Sequence, residues 1–390
     1  MNILVYRYGS ICEPDIIDAF TQTGLNVIKE TTEINNKNLS SAKRLSLVEN
    51  ILKTEHPIFV FSINFFPVIA EICHIYKTPY LCWTVDSPVP ELFSESVKLP
   101  TNRIFLFDRA QFDTFYRYNP KGIFHLPLAS CTERFDRVIQ TITDADRQNY
   151  SCDISFVGSL YSEKNPLSKL SGMPDYAKGY IDALVEASLK IYGYNPVESA
   201  MTDDLAGTIK AYAPSFYSPG ATVTNPEKYI AAHSYIGMQI AQTERIRTLN
   251  TLAQFFNVDL YTRSDTSPLQ GVCTHGGVAT LTEMPKIFHL SKINLNMTIK
   301  PIQTGLPLRI FDILGCGGFL MTNYQTELTE HFEIGVDLEA YASMEELVDK
   351  CAYYLKHEDE RKQIAQNGYR KVSENHTYIH RIKEMIKATL

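Results

Sequence analysis

Short apolar runs alternate with amphipathic segments along the first 130 residues. The runs that predict strands cover residues 2–8, 25–28, 58–63, 80–85, 103–107 and 123–126. Helical patterns fall between them; in residues 41–54, for instance, Leu45, Val48 and Leu52 share one face. Apolar strands separated by helices are typical of a parallel sheet covered on both faces. Residues 1–130 are therefore predicted to form a Rossmann-like α/β domain.

The same alternation restarts at residue 152 and predicts a second Rossmann-like domain over 151–375. Its strands are expected at 152–157, 258–262, 272–273, 293–297 and 318–322. The polar segment 131–150 is interpreted as a linker, and 165–243 as a helical insert, because there the alternation is broken. An amphipathic helix over 376–390 is expected to cross back to the first domain. Ligands of open α/β sheets bind beyond the carboxyl ends of the strands, so the two parallel sheets are expected to face a common cleft.

Charge and cysteine usage exclude several classes of partner. The 390 residues carry a net charge of −7 without long runs of like charge, which argues against a nucleic-acid partner. The eight cysteines are scattered and lack zinc-like spacing, as in reduced cytoplasmic proteins. The uncharged, mainly apolar stretch 57–70 is too short to span a bilayer, so no integral membrane contact is expected. The protein is predicted to be cytoplasmic.

Residues 291–320 contain the most informative chemistry. Gly305 precedes a predicted helix over 308–314, whose free N–H groups and positive end favour phosphate. Arg309 can present a bidentate fork to a diphosphate, and Lys300 adds a second cation. Asp312 lies on nearly the same helix face and could accept hydrogen bonds from ribose hydroxyls. Gly317 belongs to the glycine turn that leads back into the sheet. These residues predict a nucleotide-diphosphate site.

Several stretches together resemble the spore-maturation CgeB-like glycosyltransferases, a bacterial family. They are Ser-Lys-Ile-Asn-Leu-Asn ending at Asn296, Gly-Leu-Pro-Leu-Arg-Ile-Phe-Asp ending at Asp312, Gly-Cys-Gly-Gly-Phe-Leu from Gly315, Asn-Gly-Tyr at 367–369 and His-Thr-Tyr at 376–378. The match extends to residues 152–160, 83–88 and 125–129, and covers nearly the whole chain except 165–243.

The resemblance implies a GT-B fold and a hexosyltransferase of the EC 2.4 type. It implies that the C-terminal domain holds a nucleotide-sugar donor, most simply a UDP-sugar, with an acceptor site in the N-terminal domain. No cofactor and no metal are expected. Many retaining GT-B enzymes carry two glutamates eight positions apart before the glycine turn; here Thr304 and Asp312 stand there, which leaves inverting and retaining chemistry open.

Other glycine turns supply further donor-binding candidates. His275 and Gly276 end a short predicted strand, where the histidine could meet a donor phosphate and the glycine permits close approach. Gly158 and Ser159 occupy the first βα turn of the second domain, a usual place for diphosphate contact. Asn296 is included through the resemblance.

Asp86 is the preferred catalytic residue. It follows the predicted strand 80–85 and is expected to project from the carboxyl edge of the first sheet. An inverting transfer needs one base to deprotonate the acceptor hydroxyl, and a carboxylate can serve. Glu13, Asp15 and Asn64 could share or replace that role.

The predicted function is transfer of a sugar from a nucleotide-diphosphate sugar to a protein or a glycan. The acceptor could be flagellin, a spore-coat component or a cell-surface glycan. Two other hypotheses keep the fold: a non-catalytic nucleotide- or glycan-binding protein, and an enzyme of different chemistry such as a nucleotide-sugar epimerase or a phosphorylase. A fold by itself does not separate them.

Overall fold

A computed structural model describes residues 1–389, which divide into two compact units. The first unit comprises Met1–Leu128, Tyr217–Pro226 and the chain from Thr377 onward. The second comprises Ala129–Phe216 and Glu227–His376.

Six parallel strands form the sheet of the first unit. They are β1 (Asn2–Tyr6), β2 (Asn26–Glu30), β3 (Val60–Ile63), β4 (Tyr80–Trp83), β5 (Asn102–Leu106) and β6 (Ile123–His125). They pair in the order β2-β1-β3-β4-β5-β6. The helices that connect them are α1 (Glu13–Gln22), α2 (Thr32–Asn35), α3 (Ser41–Glu55), α4 (Pro67–Ile75) and α5 (Arg109–Phe115). Every residue of β3 and β4 is buried, which explains their continuous apolar sequence.

The second unit contains another six-stranded parallel sheet. Its strands are β7 (Ile154–Val157), β8 (Val258–Tyr261), β9 (Cys273–His275), β10 (Ile293–Asn296), β11 (Leu320–Asn323) and β12 (Glu339–Tyr341). They pair in the order β12-β11-β10-β7-β8-β9, so β9 is an edge strand. The predicted fold class, two Rossmann-like α/β domains with parallel sheets, is confirmed.

The helices of the second unit outnumber those of the first. They are α6 (Thr132–Ile139), α7 (Asp144–Tyr150), α8 (Asp175–Ser188), α9 (Val197–Ala200), α10 (Asp203–Tyr212), α11 (Glu227–Ile230), α12 (Gly237–Leu252), α13 (Met284–Leu290), α14 (Leu308–Gly315), α15 (Leu328–His331), α16 (Met344–Tyr354) and α17 (Glu358–Asn375). A π-helical turn, Ala231–Ile236, joins α11 to α12. The last helix of the chain, α18 (Tyr378–Thr389), lies in the first unit.

The predicted helical insert has a hydrophobic core of its own. Ile181 on α8, Ile209 on α10 and Ile240 on α12 belong to one buried cluster. A separate cluster under the second sheet includes Ile154, Leu260 and Leu295. The insert is therefore a packed helical layer rather than a loop.

The segment 131–150, predicted as a linker, instead forms α6 and α7. A capping box starts α7: the hydroxyl of Thr143 accepts from the amide of Asp146 at 3.2 Å, and the Asp146 carboxylate accepts from the amide of Thr143 at 2.8 Å. Lys286 on α13 also pairs with Asp146 at 2.9 Å. The polar composition of the segment does not reveal this cap, so the two helices are not evident from residue types alone.

Two segments beyond residue 200 belong to the first unit. In the stretch Tyr217–Pro226, the amide of Val223 donates to the carbonyl of Phe93 at 2.8 Å. Helix α18 packs against α1, and the ring of Tyr378 meets that of Trp83 edge-on at 6.0 Å. Among residues 1–389, no helix combines the length and the hydrophobicity needed to cross a bilayer.

Replacing Gly368 by alanine should destabilise the second unit. A Cβ at Gly368 in α17 would lie 2.3 Å from the carbonyl oxygen of Asp337 and 2.7 Å from Leu314 Cδ2. Overpacking of this kind costs about 1–3 kcal/mol. Gly179, exposed in α8, has no atom within 4 Å of such a Cβ, so Gly179→Ala should instead stabilise by about 0.5–1 kcal/mol. Urea unfolding of both variants measures the difference, and equal effects would contradict the close packing of α17 on α14.

Candidate functional site

One guanidinium links the carboxyl ends of β7 and β10. Arg245, on α12, donates from Nη1 to the carbonyl of Ser159 at 2.6 Å and from Nη2 to the carbonyl of Met297 at 2.9 Å. Its guanidinium carbon lies 4.5 Å from the ring centre of Tyr161. Its Nε is buried and has no hydrogen-bond partner among the residues that the structure describes. Arg245 therefore fixes the turn after β7, and its Nε–H is a donor that no described residue uses.

A buried pair of opposite charges lies next to Arg245. Burial raises the pKa of Glu244, while the charges of Lys300 and Arg245 act in the opposite direction. Burial lowers the pKa of Lys300, and Glu244 opposes that shift. The Lys300 ammonium donates to the carbonyl of Ile191 and lies 5.2 Å from the ring centre of Tyr192. Lys300 is thus a cation with little exposure to water.

Arg309 is the second residue of α14 and is mostly buried. It lies 3.5 Å from the Asp312 carboxylate, one helical turn on, and its guanidinium is 5.1 Å from the ring centre of Phe288. Burial lowers the pKa of Arg309. Burial also lowers the pKa of Arg245, and the positive charge of Arg309 lowers it further. The two guanidinium groups are therefore close enough to repel each other.

These groups bring positive charge together in one place. Arg245 and Arg309 are half-buried and Lys300 is buried, and the carboxylates of Glu244 and Asp312 act on them. Like charges held together in a poorly solvated place are unfavourable unless an anion joins them. The start of α14 adds its helix dipole to the same positive potential. An anionic ligand would complete the arrangement electrostatically.

Three more residues that were predicted to bind the sugar donor lie in loops close to these charged groups. Gly158 follows β7, and its amide donates to the carbonyl of Tyr261 at 3.1 Å. Ser159 accepts Arg245 at its carbonyl and donates from its hydroxyl to Glu163 at 2.6 Å. Gly305 is buried in the loop before α14. These loops follow the carboxyl ends of β7 and β10, where the sequence analysis places the donor-binding residues.

Asn296 has a structural position instead. It is 3% exposed, and its amide donates to the hydroxyls of Thr298 at 3.0 Å and Thr322 at 2.9 Å. The side-chain amide of Asn296 thus contacts β11 through Thr322 and the chain after β10 through Thr298, which gives it a structural role in the sheet.

Gly317 also lies away from the cations. It follows the last turn of α14, whereas Arg309 lies in the first, so the length of the helix separates them. Its φ of +67° explains the glycine, because the chain must turn there into β11.

His275 is engaged within the sheet. Its Nε2 lies 2.7 Å from Asp259 Oδ1 on β8, and its ring stacks on that of Tyr261 at 4.5 Å. Gly276 follows directly, and a Cβ there would meet nothing within 4 Å. These contacts therefore do not support a phosphate contact at His275, and the open space at Gly276 does not require a glycine for close packing.

Asp86 lies in the first unit, where the loops after β1, β3 and β4 converge. Asn64 donates to the Asp86 carboxylate at 2.7 Å and to the hydroxyl of Tyr8 at 3.0 Å. The carbonyl of the same amide accepts from the backbone amide of Val85 at 3.0 Å, and Asn64 has a φ of 56°. Asp86 is exposed, so a substrate hydroxyl can reach it.

The other candidate bases are buried or already take part in hydrogen bonds. Glu13 is 2% exposed and accepts from the amides of Tyr8 and Gly9, each at 2.9 Å, and from Arg7 at 2.9 Å. Asp15 is 7% exposed. Asn64 orients Asp86. Burial raises the pKa of Glu91, and the charge of Asp86 raises it further, so a second carboxyl group lies nearby.

Sequence reasoning missed Glu244, Arg245 and Tyr161. The residues 229–243 contain no Asp, Glu, Lys or Arg, and Glu244 and Arg245 follow this stretch directly. An adjacent charged pair after so long an uncharged segment of a helix is the signal that could have found them.

Comparisons with known proteins agree with the architecture. Residues 245–387 match the family model described as "Glycosyl transferase-like", which covers less than half of the chain. Among curated protein sequences none matches this chain.

Solved structures resemble the chain over its whole length. Anabaena Alr3699/HepE in complex with UDP is 13% identical with a TM-score of 0.54, covering 100% of both chains. A glycosyltransferase from Rickettsia africae is 12% identical with a TM-score of 0.52, covering 99% of this chain and 97% of that one. A UDP-forming trehalose-phosphate synthase from Burkholderia xenovorans is 11% identical with a TM-score of 0.55, covering 99% and 98%.

Two parallel six-stranded sheets and these likenesses define the architecture. The chain has the GT-B fold, and its residues 245–387 are similar to glycosyl transferase-like domains.

Proposed function

We propose that this protein is a glycosyltransferase that moves a sugar from a nucleotide-diphosphate sugar to a protein or glycan acceptor. The observation that carries the proposal is the group of three cations, Arg245, Lys300 and Arg309, beside the turn after β7, the chain after β10 and the start of α14. The match of residues 245–387 to a glycosyl transferase-like family supports it. So do the structures of similar fold that contain UDP, UDP and glucose, or UDP-glucose. A UDP-sugar is therefore the donor that we propose.

The diphosphate would be held in the second unit. Arg309 and the amides at the start of α14 offer donors to its oxygens, and Arg245 contributes charge from the turn after β7. When the glycosidic bond breaks, negative charge grows on the leaving diphosphate, and fixed cations stabilise it without reorganisation. Since three side chains supply this charge, we propose a transfer that does not depend on a metal ion.

Asp86 would act as the base on the acceptor. Its exposed carboxylate is held by the amide of Asn64, and such a group can take the proton of an attacking hydroxyl. Burial raises the pKa of the Tyr8 hydroxyl, and Asp86 adds to that shift, so Tyr8 stays protonated beside the carboxylate. A single positioned base is what an inverting transfer requires.

The finer family assignment is also a proposal. The stretches around Arg309 and Gly315 that resemble the CgeB-like glycosyltransferases fall inside the segment that matches the broader family. That resemblance supports a protein such as flagellin or a spore-coat component, or a surface glycan, as acceptor. Hexosyl transfer follows from the same argument.

Replacing Arg309 by glutamine should remove most of the stabilisation that UDP gives. At a UDP concentration 100 times the Kd, binding stabilises a protein by about 2.7 kcal/mol. Losing a hydrogen bond to a charged group costs about 1.5–3 kcal/mol, which weakens the Kd roughly 10- to 100-fold. The expected result is a much smaller thermal shift with UDP, measured by differential scanning fluorimetry.

Arg247→Gln is the matched control for this experiment. Arg247 lies on α12, two residues after Arg245, but it is exposed and pairs with Glu186 at 2.6 Å. Its replacement should leave the UDP shift unchanged. A folded Arg309→Gln protein with the same UDP affinity as Arg247→Gln would disprove the donor site.

Replacing Asp86 by asparagine should separate binding from reaction. The variant keeps the hydrogen-bonding shape but cannot accept a proton, and general-base catalysis contributes about 10²- to 10⁴-fold. We expect an unchanged UDP shift and a loss of that size in the hydrolysis of the UDP-sugar that stabilises the protein best. Asp18→Asn, an exposed position on α1, is the control. Hydrolysis at the rate of the control would exclude Asp86 as the base.

A further inference from the structure

Three different metal-binding side chains meet on the outer strands of the second sheet. Asp259 lies on β8, and Cys273 and His275 lie on the edge strand β9. One potential ligand atom from each, a carboxylate oxygen, a thiol sulfur and an imidazole nitrogen, lies within 4.8 Å of the other two. None of the three belongs to the cation cluster of Arg245, Lys300 and Arg309.

The backbone places these side chains on one face. Residues two apart on a strand point to the same side, so Cys273 and His275 are neighbours. In the parallel register, Asp259 pairs with Cys273 and Tyr261 pairs with His275. The stacking of His275 on Tyr261, at 4.5 Å and 13°, then orients the imidazole toward Asp259. The cluster follows from strand pairing and not from a flexible loop.

The contacts converge on one atom. Asp259 Oδ1 lies 2.7 Å from His275 Nε2, and Cys273 Sγ lies 3.6 Å from the same Nε2. A nucleophilic triad needs the histidine to contact the thiol with one nitrogen and the carboxylate with the other. Here both partners lie at one nitrogen, so the three groups do not have the arrangement of such a triad. Their three ligand atoms are close enough together to share one cation.

We propose that Asp259, Cys273 and His275 bind a divalent cation of the zinc class, with a fourth position left to water. Tetrahedral zinc with ordinary bond lengths separates a thiolate sulfur from an imidazole nitrogen by about 3.6 Å and a carboxylate oxygen from that nitrogen by about 3.4 Å. The Cys273–His275 distance already has this value. The Asp259–His275 distance must open by roughly 0.7 Å, which small side-chain rotations achieve.

Charge and donor type favour zinc over calcium or magnesium. A thiolate and an imidazole are ligands of softer cations, whereas calcium and magnesium prefer oxygen only. A divalent ion would bind Cys273 as the thiolate, displacing its proton, and would balance the charges of the thiolate and the carboxylate.

The bound cation would anchor the edge strand β9 to β8. Strand β9 has three residues and pairs only with β8. A cation held by Cys273 and His275 on one side and by Asp259 on the other would cross-link the two strands. The residues of the glycine loop at Gly276 follow directly, so the cation would also fix the start of that loop.

Cobalt titration of the full chain, after treatment with a chelator, tests the proposal. Co²⁺ occupies zinc sites, and a thiolate ligand gives a sulfur-to-cobalt charge-transfer band in the near ultraviolet. We expect one equivalent of Co²⁺ to produce this band, and Cys273→Ser to abolish it. His275→Ala and Asp259→Asn should each weaken the affinity at least about tenfold, since even partners outside the ligand set are worth that much.

A second thiol provides the matched control. Cys152 lies near the cluster but bonds to the Ser291 hydroxyl at 3.2 Å, and it is not one of the three ligands. Cys152→Ser should keep the band. Cys273 is exposed, so its replacement should leave the far-ultraviolet circular dichroism unchanged and keep the comparison valid.

Zinc should also raise the melting temperature of the unmodified protein and of Cys152→Ser, but not that of Cys273→Ser. No cobalt band in the unmodified protein would overturn the proposal. So would a band that persists in folded Cys273→Ser or disappears in Cys152→Ser. None of these measurements involves a nucleotide, so their outcome is independent of the proposed glycosyl transfer.

Discussion

The guanidinium of Arg245 is the contact on which the charged site of the second unit depends. It holds the carbonyls of Ser159 and Met297, which follow neighbouring strands, and so sets the spacing between the turn after β7 and the chain after β10. Both carbonyls would otherwise need other donors in a place poor in water. The bidentate, planar shape of arginine suits this bridging, and lysine could not reach both oxygens in the same way.

The position of Arg245 also explains its neighbours. A guanidinium that donates two hydrogen bonds to backbone carbonyls keeps its positive charge, and the ring of Tyr161 covers one face of it. Glu244, on the same helix, offsets part of that charge and part of the charge of Lys300. Asp312 pairs with Arg309 at 3.5 Å. An anion bound beside the three cations would be attracted by all of them.

The fold could be predicted from sequence because parallel strands buried on both faces have continuous apolar sequences. Strands β3, β4 and β7 are of this kind, and each was found. The edge strand β9 was placed only approximately, since it is short and partly exposed. The sequence pattern did not predict helices in the segment 131–150, because α6 and α7 are mostly polar. Their stability comes from the Thr143 cap and from packing on α13, which composition does not reveal.

The charged site could be predicted only where its residues are close in sequence. Gly305, Arg309 and Asp312 form one loop and one helix, so local geometry was enough to group them. Arg245 lies on a distant helix, and its contacts to Ser159 and Met297 exist only once the sheet has formed. The case of His275 is similar. Its sequence, a histidine before glycines, suggested a phosphate, but the strand register gives it Asp259 and Tyr261 as neighbours.

An exposed carboxylate in the first unit and a group of cations in the second match the two needs of the proposed glycosyl transfer. In the first unit, Asp86 is exposed, and burial raises the pKa of Glu91, with the charge of Asp86 adding to that shift. In the second, burial lowers the pKa of Lys300 and of both arginines. A carboxylate environment accepts the proton of a nucleophile, whereas a cationic one stabilises a departing diphosphate. A protein that only bound nucleotides would have use for the second group and none for the first, so the Asn64–Asp86 arrangement is the feature that argues for catalysis.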